Sequence, residues 1–282
     1  SLDNGGIVMG DRIDAPLPAS SYDLEIIIVG INHPGNLGAI SRAMLNYGFD
    51  KLTLVNPNCS VDDDEARNRA KHSGYILDNS SICETLSEAV EKSSLVIGTS
   101  GKREVGSKIL RRHFLLPWEL SDKLRNYDGR VSLVFGEEGK GLTASQLGLC
   151  DFLVTLPTWE GYPIANLSHA VSQLCYELHR DRIINGLTVK GVKNQKAISS
   201  DLRLILRKSI DDFCQSLDSD KSELINDVFE RVLLRGLPID SEAERMIGAF
   251  VQATTALQKQ SGNEEWRRDR RKRVTPDNQS DR

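Results

Sequence analysis

The stretch Leu133–Ser168 (LVFGEEGKGLTASQLGLCDFLVTLPTWEGYPIANLS) limits what this chain can fold into more than any other. It reads as strand, glycine loop, short helix, strand, second loop and the opening of a long helix. Val131–Phe135 is an apolar run that stops at Gly136, and Phe152–Leu156 is a second, closed by Pro157. Neither alternates with polar residues, so both belong inside a sheet covered on its two faces. Thr143 is placed to cap a helix that ends near Cys150. Ala165–Ser168 leads into an apolar helical pattern from Ala170 to about Leu178. Two buried strands ending side by side, each releasing a loop that opens a helix, predict a ligand site at the carboxyl edge of a parallel sheet.

The chain before this stretch has the same character. Leu24–Gly30 (LEIIIVG) suits a central parallel strand, and the loop Ile31–Gly38 (INHPGNLG) follows it. Ala39–Tyr47 has helical spacing with Ile40, Ala43, Met44 and Tyr47 on one face, and Gly48 caps it. Lys51–Val55 is the next strand, which makes a βαβ unit with a right-handed crossover. Val61–Ser73 reads as a polar surface helix and loop. Ile82–Glu91 reads as a helix with Ile82, Leu86, Ala89 and Val90 facing inward. Leu95–Gly98 is a buried strand, Lys102–Arg112 a basic surface segment, and Pro117–Leu124 a helix opened by proline.

After Arg180 the composition changes. Ile183–Lys196 is rich in Lys and Gly with little periodicity and reads as a linker. Helical patterns follow over Asp201–Leu217, Lys221–Arg235 and Ser241–Gln260, the last burying Met246, Ile247, Phe250, Val251 and Leu257. The expected organisation is a loose arm over 1–20, an α/β domain over 21–182, a linker over 183–199, a helical domain over 200–262 and a basic and polar tail over 263–282. The polar Ser1–Asp14 stretch begins without Met, as a cloning scar ahead of such an arm would.

A net charge of −4 over 282 residues means that any basic partner surface must be local. Cys59, Cys83, Cys150, Cys175 and Cys214 are far apart and unaccompanied by His, which argues against a zinc site or a disulfide framework and for a reducing cytoplasm. No apolar run is long enough to span a bilayer and no signal peptide is visible, so no membrane partner and no metal are expected.

Four loops close four expected strands: His33–Gly38, Thr99–Gly101, Gly136–Gly141 and Pro157–Asn166. Neither the phosphate-binding GxxxxGK[ST] nor the dinucleotide GxGxxG pattern is present. Each loop alone reads equally as a tight turn. Four together at strand ends point to a ligand approached by backbone amides.

The residues in these loops resemble one family. His33-Pro34-Gly35-Asn36-Leu37-Gly38 with Arg42 resembles the first motif of the SpoU/TrmH branch of the SPOUT methyltransferases. Phe135–Leu142 (FGEEGKGL) is similar to the second. Leu156-Pro157, then Asn166–Val171 (NLSHAV), is similar to the third. Within the branch the chain is most similar to the TrmJ group, which methylates ribose 2′-oxygens at position 32 of the tRNA anticodon loop. The resemblance covers roughly residues 24–180; the helical end resembles that group only loosely.

The resemblance implies an α/β fold of the SPOUT type: a parallel sheet with helices on both faces and a deep C-terminal trefoil knot, followed by a small helical domain. It implies a homodimer that uses S-adenosylmethionine as cofactor and tRNA, or alternatively rRNA, as partner. By position, the cofactor contacts fall on Thr99, Ser100, Gly101, Gly136, Leu156, Ile164, Ala165 and Asn166. The catalytic set falls on Arg42, Asn36, Glu138 and Asn166. Arg42 is expected to hold a phosphate and stabilise developing alkoxide charge, because a guanidinium stays protonated. Glu138 is expected to fasten loops through backbone amides, and Tyr162 to stack on a base or cover the pocket. Ser168 is a natural helix cap and His169 a packed helix residue. Arg103, Lys108, Arg111 and Arg112, and the tail Arg267–Arg273 beside Trp266, are candidate RNA contacts. Ile164 departs from the family, which often has Ser there. That departure keeps a non-catalytic RNA-binding paralogue open as a rival, and a generic nucleotide-binding α/β enzyme stands as a third reading apart from it.

Overall fold

The computed structural model describes residues 15–101, 114–185, 195–217, 219–236 and 238–262. The first strand, β1 (Asp23–Val29), leads through Gly30–His33 into α1 (Pro34–Asn46), which returns the chain to β2 (Lys51–Val55). The helices α2 (Asp64–Ala70) and α3 (Gly74–Asp78) follow. Then come β3 (Ser81–Cys83), the single turn α4 (Leu86–Ala89) and β4 (Leu95–Thr99). Beyond residue 113 the order is β5 (Phe114–Leu115), α5 (Pro117–Leu124), β6 (Tyr127–Asp128), β7 (Arg130–Phe135), α6 (Ala144–Gly148), β8 (Phe152–Val154) and α7 (Leu167–Asn185).

Seven strands form one sheet in the order β3-β2-β1-β7-β4-β8-β5, and every pair is parallel. All carboxyl ends therefore open on one edge. β1 shows why both faces must be covered. Ile26 and Ile28 join the cluster under α1 and α7 with Leu37, Ile40, Met44, Val171 and Leu174, while Ile27 and Val29 join Leu86, Val90, Val96 and Val134 on the other face. A continuous β-branched run is what such a two-sided environment selects.

Several expectations are corrected. β7 and β8 are not neighbours, because β4 lies between them and pairs with both. The segment His33–Gly38 is not a loop: α1 starts at Pro34, with proline at its first position, where the missing N–H costs no hydrogen bond. Gly38 sits inside that helix because α2 crosses it there, and a Cβ on Gly38 would run into the Ala66 carbonyl. Ile82 lies in β3 and is exposed, and only Leu86–Ala89 is helical in the stretch read as one long helix. The helix α7 continues to Asn185, past the expected end near Leu178 and into the stretch read as a linker.

After residue 194 a short strand, β9 (Gln195–Lys196), pairs in parallel with β6. Three helices follow: α8 (Ser200–Gln215), α9 (Ser222–Arg235) and α10 (Asp240–Gln260). They pack around their own apolar cluster of Leu206, Ile210, Cys214, Leu234 and Ala243. The rings of Phe213, Phe229 and Phe250 meet within it at centroid distances of 5.4–6.1 Å. On α10, Val251 is buried, whereas Met246, Ile247, Phe250 and Leu257 are half-buried.

α8 is fastened to the sheet by a buried ion cluster. Asp151, just before β8, accepts the Val96 N–H at 2.8 Å, the Arg203 guanidinium at 2.7 Å and the Arg207 guanidinium at 2.7 Å. Burial pushes the Asp151 carboxyl up, but the two guanidiniums outweigh it and hold the group below the usual carboxylate range.

Candidate active site

A cavity of about 630 Å³ opens at the carboxyl edge of the sheet, where β4, β7 and β8 end. Parallel strands released at one edge leave their loops converging there, which is the general reason open α/β sheets bind ligands at this end.

The loop after β7 forms one wall. Gly136 is required there, since a Cβ would collide with the backbone of Gly141 and Leu142, where the loop folds back on itself. The loop closes with the Gly141 N–H donating to the Glu137 carbonyl at 2.7 Å and with the Lys140–Glu137 ion pair at 2.8 Å. The hydrogen bond from Lys140 holds the Glu137 carboxyl below its ordinary range. The loop ends at α6, whose first turn is a reciprocal cap. Thr143 N–H donates to Gln146 Oε1 at 2.9 Å, and Gln146 N–H donates to Thr143 Oγ1 at 3.3 Å.

Glu138 reaches from this loop to the start of α1. Its carboxylate accepts the Asn36 side-chain amide and the Asn32 N–H at 3.4 Å, and it lies 3.8 Å from His33 Nε2. A carboxylate there also complements the positive end of α1, which has no acidic residue in its first turn. Glu138 thus meets one backbone amide and one side-chain amide of the segment that opens α1.

The loop after β8 forms the opposite wall. Asn166 caps α7: its Oδ1 accepts the Ser168 N–H at 2.9 Å and the Ser168 hydroxyl at 2.7 Å. The cap is therefore Asn166 and not Ser168. Ile164 is half exposed and lies against Gly101, where an added Cβ would stand 3.0 Å from its Cδ1. Tyr162 is 80% exposed at the rim. Thr99 donates its hydroxyl to the Val134 carbonyl at 3.0 Å and the Ser100 N–H donates to the Val154 carbonyl at 3.1 Å, which fixes the third loop.

Thr99, Ser100, Gly101, Gly136, Leu156, Ile164, Ala165 and Asn166 all line this cavity, together with Asn36 and Glu138. The floor is apolar, built by Phe135, Leu142, Val154, Leu156 and Leu174, and suits an aromatic base. Arg42 is placed elsewhere. It is exposed on α1 and does not line the cavity of its own chain. His169 is exposed too, which corrects its reading as a packed residue. Arg103, Lys108, Arg111, Arg112 and Trp266–Arg273 lie outside the described residues. His33, Lys140, Leu147 and Pro163 also line the cavity, although the sequence reading gave none of them an individual role.

Among the described residues, no helix is long and apolar enough to cross a membrane. No group of three or more His, Cys, Asp or Glu side chains that could hold a metal ion occurs among them.

Residues 23–176 match the model of the SpoU rRNA methylase family. The tRNA (cytidine-2′-O-)-methyltransferase TrmJ of Methanocaldococcus jannaschii is 35% identical over 229 residues, spanning 80% of this chain and 98% of that protein. The protein of the same name from Sulfolobus acidocaldarius is 30% identical over 226 residues, 79% of this chain and 90% of that one. The solved structure of TrmJ from Z. mobilis ZM4 superimposes with a TM-score of 0.63 at 21% identity, covering 81% of this chain and 97% of that chain, a likeness of fold.

Proposed function

The chain belongs to the SpoU methylase family, and on that premise we propose that it is an S-adenosylmethionine-dependent ribose 2′-O-methyltransferase acting on tRNA. The observation that carries this reading is the convergence of three loops, after β4, β7 and β8, on one cavity with an apolar floor.

The cavity fits the cofactor in size and chemistry. About 630 Å³ lies within the range of small-molecule sites. Ser100 and the side-chain-free Gly101 and Gly136 line it beside the apolar floor, so a purine and a ribose find both surfaces they need. When bound, S-adenosylmethionine supplies an electrophilic methyl group on a sulfonium. Gly136 and Ile164–Asn166 hold it in place, and Glu138 keeps the β7 loop registered against α1.

Arg42 is the residue we assign to the ribose. A permanently protonated guanidinium cannot act as a base at neutral pH, but it stabilises oxyanion character as the hydroxyl proton leaves and anchors the adjacent phosphate. Because Arg42 stands outside its own chain's cavity, this role calls for a second copy to complete the site. We therefore read the protein as a homodimer. Tyr176, Ile183 and Ile184 support this reading, since they form an exposed apolar stretch along α7 at 50%, 67% and 62% exposure. Light scattering on the purified chain tests it: a dimer mass is expected, and a monomer at micromolar concentration contradicts it. The trefoil threading of the family, with the chain passed through the loops at this edge, belongs to the same proposal, as does a cytoplasmic location.

The target nucleotide we propose is position 32 of the anticodon loop, with cytidine as the base. Nucleoside mass spectrometry of an unmodified tRNA transcript incubated with protein and S-adenosylmethionine tests the activity. A 2′-O-methylated nucleoside is expected. Methylation on a base, or none at all, overturns the reading.

A further inference from the structure

A second cavity, of about 300 Å³, lies on the other side of α6. Ala144 and Leu147 line both cavities, so α6 is a shared wall. The far wall of the second cavity comes from α8 and α9, with Arg207, Asp227, Glu230, Arg231 and Arg235.

Part of the charge here is paired, while Asp227, one turn before Arg231, lines the cleft with no ion pair among the described residues. Asp151 is paired with Arg203 and Arg207, and Arg207 is also paired with Glu230 at 3.0 Å. Arg231 and Arg235 are different. Neither has a carboxylate within 4.0 Å among the described residues. Among the described residues, Arg231 donates only to the Asp227 backbone carbonyl, at 2.8 Å, and the buried Arg235 Nε meets no acceptor. One turn apart on α9, the two side chains lie on the same strip of helix and repel each other. Burial and the neighbouring Arg231 charge both draw the Arg235 guanidinium below its usual range. The Arg231 and Arg235 guanidiniums share this cleft with the Asp227 carboxylate. An anion entering it removes the repulsion and meets the buried donor.

We propose that Arg231 and Arg235 together hold one backbone phosphate of the RNA substrate in the cleft between α9 and α6. The guanidinium fork matches phosphate oxygens, and two forks one turn apart converge on a single group. The site adjoins the cofactor cavity across α6, so a strand gripped here lies beside the methyl donor. This inference rests on the RNA methyltransferase reading above and assigns the helical unit a direct part in holding substrate.

The test compares the 282-residue chain with its R231Q/R235Q and R231K/R235K variants. Binding of an unmodified tRNA transcript is followed by anisotropy across a salt series, with S-adenosylmethionine affinity measured in parallel. The Gln variant is expected to keep its cofactor affinity, to bind tRNA roughly tenfold more weakly at low salt, and to show a salt slope smaller by about 1. The Lys variant is expected to recover the slope. Unchanged tRNA affinity and slope in the Gln variant would overturn the proposal, as would loss of cofactor binding, which would mark a structural role. Inorganic phosphate that binds wild type but not the Gln variant, while tRNA binds both alike, would assign the cleft to a free anion and overturn it too. Wild-type protein with no tRNA affinity would instead remove the RNA reading itself, and this site with it.

Discussion

The side-chain amide of Asn36 donates to the carboxylate of Glu138 across 102 positions of sequence and joins the first turn of α1 to the loop after β7. With the Asn32 N–H on the same carboxylate, it fixes the one loop that both shapes the cofactor cavity and opens α6.

If that bond sets the loop, N36A and E138Q should each weaken S-adenosylmethionine binding by about tenfold, as expected for a charge-assisted hydrogen bond worth 1.5–3 kcal/mol and partly replaced by water. The double variant should be little worse than either single one, because both remove the same contact. Calorimetric titration reads all three. Additive losses would show two independent roles.

Gly136→Ala tests the fold of the loop itself. The added methyl has no room against Gly141 and Leu142, so the loop must open. A stability loss of about 1–3 kcal/mol is expected from overpacking of this kind. Cofactor binding should disappear while the far-ultraviolet circular dichroism stays that of the native chain. Tight cofactor binding by G136A would show that the loop is not where the ligand sits.

Arg42→Ala should leave cofactor affinity at its wild-type value, since Arg42 is exposed and outside its own chain's cavity. Methyl transfer should fall by roughly a hundredfold to a thousandfold, the range seen when one oxyanion donor is removed. Steady-state kinetics with saturating tRNA measures it, and wild-type turnover would take Arg42 out of the reaction.

Asp151 gives a pH prediction. Its carboxyl is held below its ordinary range in the fold, so the stability it contributes is present above the unfolded pKa, about 3.9, and is lost as pH falls through the lower folded value. Acid unfolding should therefore begin with release of the helical unit from the sheet. D151N leaves Arg203 and Arg207 buried without their anion and should cost about 3–5 kcal/mol at neutral pH. Denaturant titration of D151N against wild type checks the magnitude, and its acid transition should be correspondingly flatter.

These features were unequally legible in the sequence. The cavity loops could be read because each lies at the end of a local apolar run; Gly136 directly follows β7, while β8 stops at Val154, three residues short of Pro157. The start of α1 was hidden because Gly35 and Gly38 argue against a helix by propensity, although Pro34 suits a first helical position; the close crossing of Ala66 accounts for Gly38. The insertion of β4 between β7 and β8 depends on pairing between distant segments, which no local pattern records. Ile82 has the spacing of a buried helical residue and sits exposed on an edge strand. The Asp151–Arg203 pair spans 52 positions and two units, so neither residue carries a mark of its partner.

The most direct test places a 2′-deoxyribose at nucleotide 32 of an otherwise unmodified tRNA transcript and follows transfer of labelled methyl from S-adenosylmethionine. The account predicts stoichiometric labelling of the all-ribose transcript and none of the deoxy-substituted one, with both bound equally well. Equal labelling of the two would place the methyl on another atom or nucleotide and contradict the assignment of a sugar oxygen at that position.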